Sequence, residues 1–302
     1  MPELPEVETI RLGLVEHVLG RTVEDVVVHS GRAVRKLADI ATLVDLVAGG
    51  TVREIARRGK FLWLVLDDAP DALVLHLGMS GQLLFHTSPP PELPRHTAVS
   101  LRLDRGLLLF VDQRTFGYVH PSPLLPTDDG LPAGAGTSRP ELPALAAHIA
   151  RDPLDPHLDV PAVVARMGRT SSAVKRVLLD QRFVSGIGNI YADETLWHAR
   201  IHPATPANLL PPDARERIVR TAAEVMGAAV LAGGTSFDAL YVNAMGESGY
   251  FARELRAYGR TGTPCARCAT PLVREVIGGR STHRCPRCQI SATGAQWIGS
   301  DP

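Results

Sequence analysis

The chain has 302 residues, 45% of them hydrophobic, and its 32 Lys and Arg balance its 32 Asp and Glu to a formal net charge of zero. That length predicts about two domains with ample core, and no apolar run reaches the roughly 18 residues that a membrane helix needs. Zero net charge excludes a uniformly basic nucleic-acid binder, so any DNA affinity has to come from a few local contacts.

The chain opens Met1-Pro2-Glu3-Leu4-Pro5-Glu6-Val7-Glu8-Thr9-Ile10. An initiator Met before a small residue is ordinarily removed, which would leave Pro2 as an N-terminal secondary amine. An α-amino group titrates at roughly 7.7–8.0, so much of it is neutral near pH 7 and able to attack an electrophilic carbon. Glu3 beside it is placed to act as general acid or base. The same stretch also reads as a helix start. Pro5 suits a first turn, Glu6 and Glu8 complement the helix dipole, and Val7, Ile10, Leu14 and Val18 follow helical spacing. Pro2 and Glu3 do not resemble the basic start of a signal peptide, so the chain reads as cytoplasmic.

Residues 22–30 read as a strand. Residues 51–66 and 72–85 are aliphatic with Gly breaks, and 97–111 read as a hairpin turning at Asp104-Arg105-Gly106. Short strands with turn signals predict a β-sandwich carrying one N-terminal helix. Residues 121–145, rich in Pro, Gly and Ala, read as a linker. Helical patterns follow at 160–167, 172–182, 190–199 and 211–232, the last ending at Gly233-Gly234. No internal repeat is present.

Several stretches carry chemistry. Arg58-Gly59-Lys60 opens an apolar strand, where Lys60 can reach a phosphate or give a proton. Met79, within His76-Leu77-Gly78-Met79-Ser80-Gly81, is apolar and flexible enough to wedge into a base stack. Gly186-x-Gly188 between two helical stretches can present backbone N–H groups to a phosphate. Residues 243–258 begin with a small, polar loop. Eight Arg fall within residues 253–288, against Glu254 and Glu275. All four Cys lie there too, as Cys265-x2-Cys268-x16-Cys285-x2-Cys288. This spacing predicts a closed tetrahedral site for one structural Zn2+. The metal would hold a short hairpin with Gly278-Gly279-Arg280 at its tip.

Taken together, these motifs resemble the formamidopyrimidine-DNA glycosylase (Fpg/MutM) family of bacterial base-excision repair enzymes. The decamer MPELPEVETI resembles its N-terminus, and HLGMSG and Asp112-Gln113-Arg114-Thr115-Phe116-Gly117 resemble two of its DNA-reading segments. In the second of these, Gln113 and Thr115 stand where the family has Pro and Arg. The string LLDQxxVSGIGNIYADE is similar to its helix–two-turn–helix. The resemblance implies an α+β multidomain fold. Residues 1–120 would form the catalytic β-sandwich with its helix, 121–156 a linker, 157–260 the helix–two-turn–helix domain and 261–290 the zinc finger.

It implies an enzyme that excises oxidised purines such as 8-oxoguanine and formamidopyrimidines from double-stranded DNA, then nicks the strand by β,δ-elimination. Pro2 would be the nucleophile and Glu3 an acid, with Lys60 and Arg280 assisting elimination. Met79, Arg114 and Phe116 would fill the gap left by the extruded nucleotide, and His76, His96, Arg169, Lys175 and Asn189 would contact DNA. Residues 243–258 would be a lid. The enzyme would act as a monomer at the bacterial nucleoid. Two alternatives remain open at this point. One is an endonuclease VIII-like (Nei) glycosylase for oxidised pyrimidines, against which Leu4 argues. The other is a non-catalytic zinc protein that binds DNA lesions.

Overall fold

The computed structural model describes residues 2–67, 69–235, 244–246 and 251–290. The chain forms two compact units, the first of residues 1–149 with 229–252, the second of 150–228 with 253–302.

The first unit starts with α1 (Leu4–His17), Pro5 in its first turn. Among the described residues, eight β-strands follow between residues 23 and 126: β1 (Val23–Val28), β2 (Val52–Arg58), β3 (Phe61–Leu66), β4 (Asp71–His76), β5 (Gly81–His86), β6 (Thr97–Leu103), β7 (Leu107–Asp112) and β8 (Tyr118–Pro126). A short helix α2 (Ala41–Val47) precedes β2, and β9 (Glu141–Pro143) closes the series. The strands make a four-stranded sheet ordered β1-β6-β7-β5 and a five-stranded sheet ordered β2-β3-β4-β8-β9. All pairs are antiparallel. Alternating aliphatic residues of both sheets share one core with α1. Leu62, Leu64, Leu73 and Leu75 come from one sheet, Val99, Leu101, Leu108 and Phe110 from the other, and Val7, Ile10 and Leu14 from the helix. This is the expected β-sandwich, with apolar side chains buried between two pleated faces.

The stretch 121–145 is not a bare linker. Leu124–Pro126 pair with Pro143–Glu141, and Ala135 exchanges both backbone hydrogen bonds with Arg57 at 2.9 and 3.0 Å. The Gly and Ala residues that suggested flexibility are there for close approach. A Cβ on Gly134 would lie 2.2 Å from the Arg57 carbonyl oxygen. The segment therefore covers the edge of β2, a sheet edge otherwise open to pairing.

The second unit holds α3 (Val160–Met167), α4 (Val174–Leu179), α5 (Asn189–His198) and most of α6 (Pro212–Leu231). Its last element is a hairpin of β10 (Val273–Ile277) and β11 (Arg280–Arg284). Asp159 caps α3 by accepting from the Ala162 N–H. Gln181 closes the turn between α4 and α5: its side-chain oxygen accepts from the Gly186 N–H, and its amide donates to the Leu179 and Ile187 carbonyls. Among the described residues, no helix is long and apolar enough to cross a membrane.

Candidate active site and metal centre

Pro2 and Glu3 are both buried, immediately ahead of α1. Glu6 anchors them. One of its carboxylate oxygens accepts the Glu3 N–H at 2.9 Å. The other accepts the Thr235 N–H at 2.9 Å and the Thr235 hydroxyl at 2.7 Å. Gly234, at φ +82°, takes the left-handed backbone conformation next to Thr235 that a residue with a side chain rarely adopts. Dipole complementarity therefore understates Glu6, which ties the start of the chain to the segment after α6. Its position three residues after Glu3 is capping-box spacing and was the available signal.

Lys60 sits in the tight turn between β2 and β3, where Gly59 has φ +54°. A buried ion network aims this turn. Arg57, 2% exposed, donates to Glu8 at 2.6 Å and to the Gly59 carbonyl at 3.1 Å. Arg11 adds a second guanidinium to the same carboxylate at 2.6 Å. Burial works to raise the pKa of Glu8, but hydrogen bonds and charge from Arg11 and Arg57 outweigh it and hold the group below the usual carboxylate value. Glu8 lies one turn along the helix that Pro2-Glu3 begins, so the brace links the Lys60 turn to that helix. Nothing in the local sequence pairs Glu8 with Arg57.

The DNA-reading candidates His76, Met79, Arg114 and Phe116 fall on two adjoining loops of the same unit. His76 stacks on Tyr118, ring centroids 5.0 Å apart, and its Nδ1 accepts from the Gly78 N–H at 3.1 Å. Burial lowers its pKa to about 4, helped by the positive charges of Lys36, Lys60 and Arg35. The ring is therefore neutral at pH 7, and with Nδ1 accepting, Nε2 carries the proton and can donate. Arg114 and Phe116 are exposed, with the Arg114 guanidinium 5.5 Å from the Phe116 ring centre. Met79 is half-buried. His96, at φ +67°, accepts the Asp112 N–H on its carbonyl at 3.0 Å, which places it at the base of the Arg114 loop.

In the second unit the structure corrects one expectation. Lys175, predicted to contact phosphate, is fully buried. Its Nζ donates to Asp193 at 2.6 Å and to the Ser281 carbonyl and Thr282 hydroxyl at 2.9 Å each. All three ammonium protons are thus engaged inside the protein, and the residue braces the β10–β11 hairpin against α5. Asp193 completes the brace by accepting the His283 N–H at 2.8 Å. Asn189 is the first residue of α5 and donates its side-chain amide to the Ser281 carbonyl at 2.9 Å. Arg280 and Arg169 are exposed, Arg280 at the hairpin tip. Of the predicted lid, residues 243 and 247–250 lie outside the described residues. Its later part is folded: Glu194 accepts the N–H groups of Arg256, Ala257 and Tyr258 at 2.8–2.9 Å.

The four Cys converge as the spacing predicts. Their sulfurs all lie within 4.8 Å of one another, and a tetrahedral Zn2+ with sulfurs at about 2.3 Å sets them roughly 3.8 Å apart. Both Cys-x2-Cys turns fold back on their first Cys, with the Cys268 N–H donating to the Cys265 carbonyl and the Cys288 N–H to Cys285 Sγ, 3.3 Å each. Burial and crowding by the other thiols push Cys288 up to about 12, whereas hydrogen bonds at Thr270 pull Cys268 down to about 6. Four clustered sulfurs cannot all ionise without a cation among them, so the donor set fits one structural Zn2+. With four protein ligands it leaves no open position for chemistry.

Three family models match the chain in order. They are the formamidopyrimidine-DNA glycosylase N-terminal domain over residues 1–119, its H2TH domain over 149–239, and the zinc finger found in FPG and IleRS over 262–290. The formamidopyrimidine-DNA glycosylase of Salinispora arenicola is 51% identical over 292 residues, 96% of each chain. The MutM (Fpg) crystal structure from Thermus thermophilus is 34% identical, with a TM-score of 0.77 over 96% of this chain and all of that one. A Lactococcus lactis Fpg variant in complex with a Fapy-dG-containing DNA is 29% identical, with a TM-score of 0.80 over 96% of this chain and all of that one. With this identity over nearly its whole length, and with three family models matched in order, the chain belongs to the formamidopyrimidine-DNA glycosylase family.

Proposed function

We propose that Pro2 and Glu3 carry out the glycosylase chemistry, with Lys60 and Arg280 serving the strand-cleavage steps that follow. The enzyme is a bifunctional glycosylase and AP lyase acting on oxidised purines, 8-oxoguanine and formamidopyrimidines, in double-stranded DNA. The observation that carries the residue assignment is the double tether of α1. Glu6 holds the backbone at Glu3, and Glu8–Arg57 ties the Lys60 turn to the same helix. A nucleophile and a proton carrier need such fixed geometry.

The reaction follows from the groups present. With the target nucleotide extruded, the neutral Pro2 nitrogen bonds to the sugar C1′, and the base leaves with the glycosidic electron pair and a proton. The C1′–O4′ bond then opens as Glu3 protonates O4′, leaving a cationic iminium between Pro2 and C1′. That cation acidifies the C2′ proton. Its loss expels the 3′ phosphate, and a second elimination expels the 5′ phosphate, with the positive charges of Lys60 and Arg280 stabilising the departing phosphate anions. Water adds to the remaining iminium and frees Pro2. The neutral, proton-bearing Nε2 of His76 and the exposed Arg169 supply donors for backbone phosphates, as do the Asn189 amide at a helix start and His96 beside the Arg114 loop.

Borohydride trapping tests the assignment. The wild-type protein on an 8-oxoguanine–cytosine duplex should give a reduced adduct mapping to the N-terminal peptide, well above that on an oxidised-pyrimidine duplex. Glu3→Gln should bind the same duplex but excise the base about 10²- to 10⁴-fold more slowly, the scale of general acid–base catalysis. An adduct mapping elsewhere, or full excision by Glu3→Gln, would refute the roles given to Pro2 and Glu3.

A further inference from the structure

The two DNA-reading loops are joined through one buried carboxylate. Asp112, at the end of β7 and 3% exposed, accepts the Ser80 hydroxyl on Oδ1 at 2.5 Å and the Gly117 N–H on Oδ2 at 2.7 Å. The Arg114 N–H is shared between Ser80 Oγ at 3.0 Å and Asp112 Oδ1 at 3.2 Å. Asp112 therefore closes both ends of the segment that carries Arg114 and Phe116. Ser80, 1% exposed, joins that segment to the residue after Met79. The loops also meet backbone to backbone, since a Cβ on Gly78 would fall 2.5 Å from the Gly117 nitrogen. From outside, Arg35 donates to the Phe116 and Gly117 carbonyls at 3.0 and 2.7 Å.

From this geometry we infer that Ser80 and Asp112 are positioning residues that make Met79, Arg114 and Phe116 a single preformed wedge. The inference rests on the functional reading above. Neither residue has a side chain free to touch DNA, because each is buried and spent on the other loop. Their effect belongs to nucleotide extrusion, where the wedge must enter the stack as the base leaves it. A wedge split into two independent loops would have to be ordered during insertion, at an entropic cost that the joined one avoids.

Two substrates separate this role from a general one. Excision of 8-oxoguanine from a duplex needs extrusion, whereas elimination at an abasic site in single-stranded DNA does not. Ser80→Ala removes the cross-loop hydroxyl with little change in volume, and Asp112→Asn removes one acceptor. Each should lower single-turnover excision from the duplex by tenfold or more and leave single-stranded elimination within twofold of wild type. The double variant should lose less than the product of the two single losses, because both variants remove the shared Ser80–Asp112 bond. A 2-aminopurine beside the lesion should report slower unstacking in both variants. Equal losses on the two substrates would show a merely structural role and overturn the inference. Unchanged duplex excision by Ser80→Ala, or effects that add in the double variant, would overturn it as well. A wild-type protein inactive on both substrates would overturn the functional reading, and this inference with it.

Discussion

Each unit contains a buried ion network beside one of the two cations proposed to serve elimination, Lys60 and Arg280, and the two networks are built differently. In the first, Glu8 receives two guanidiniums, and Arg57 spends its remaining reach on the Gly59 carbonyl next to Lys60. In the second, Lys175 is the centre. Its point charge meets Asp193, the Ser281 carbonyl and the Thr282 hydroxyl, one and two residues from Arg280. The planar fork of Arg serves where one carboxylate and one carbonyl must be held in a plane, and the tetrahedral ammonium serves where three acceptors converge from different directions. In both, a charged residue inside the fold lies beside a less buried charged neighbour, half-buried Lys60 in the first and exposed Arg280 in the second. Such a charge within a motif need not touch the ligand to matter for it.

The two braces depend on different supports, and removing those supports one at a time separates them. Stripping the metal should have the largest effect. Zinc binding supplies on the order of 10 kcal/mol to small thiolate domains, and β11 carries two of the three Lys175 acceptors. Chelation should unfold the hairpin, release the Lys175 brace and abolish DNA binding, while the first unit keeps its cooperative unfolding transition. Circular dichroism, zinc content and urea melts of the chelated protein would check this. Loss of the first unit's transition as well would show that the two braces are not independent.

Within the second brace, Lys175→Met should cost about 3–5 kcal/mol, because it leaves Asp193 buried without its cation. Pairing it with Asp193→Leu should recover much of that in urea melts. In the first brace Glu8→Gln should cost a similar amount, about 3–5 kcal/mol, because it leaves the buried Arg57 and Arg11 guanidiniums without their carboxylate. A loss below about 1 kcal/mol would show that this carboxylate contributes no more than a surface ion pair.

Acid should weaken both units, through His76 in the first and His198 and His202 in the second. His76 is held at about 4 against an ordinary 6.5, so the native state resists its protonation. Its contribution is fully present above pH 6.5 and is lost as pH falls from there towards 4, up to about 3 kcal/mol at 1.36 kcal/mol per unit. Urea melts across that range should show a shallower slope in His76→Phe than in wild type, the remainder coming from His198 and His202, whose burial also lowers their pKa. The smallest effect lies outside both braces. Thr115 is β-branched yet sits at φ +55°, a conformation that strains such residues. Thr115→Gly should raise stability by about 1 kcal/mol, the relief of strain less the extra flexibility of glycine in the unfolded chain. A thermal melt with no gain would show that the strain is absorbed elsewhere.

The strands, helices and cysteine hairpin were legible because their causes are local. Apolar alternation marks β1 to β7, helical spacing marks α3 to α6, and two Cys-x2-Cys pairs need only a short turn each to face one ion. The residues 121–145 were misread for a physical reason: Gly and Ala permit flexibility and close packing alike, and only the neighbouring Arg57 carbonyl shows which one applies. Lys175 was misread because a lysine in a DNA-binding motif looks the same whether its acceptor is a phosphate or a buried aspartate 18 residues away. The brace of Glu8 by Arg57 spans 49 residues, and that of Glu6 by Thr235 spans 229.

What the sequence by itself determined is the chemistry available. It set Pro2 beside the Glu3 carboxylate, four thiols at metal spacing, and Met79, Arg114 and Phe116 as candidates for a wedge. Tertiary structure alone decided which charges face solvent and which are spent within the protein. A charge's role is set by desolvation and by partners that the fold brings from far along the chain, and neither is encoded in the residues next to it.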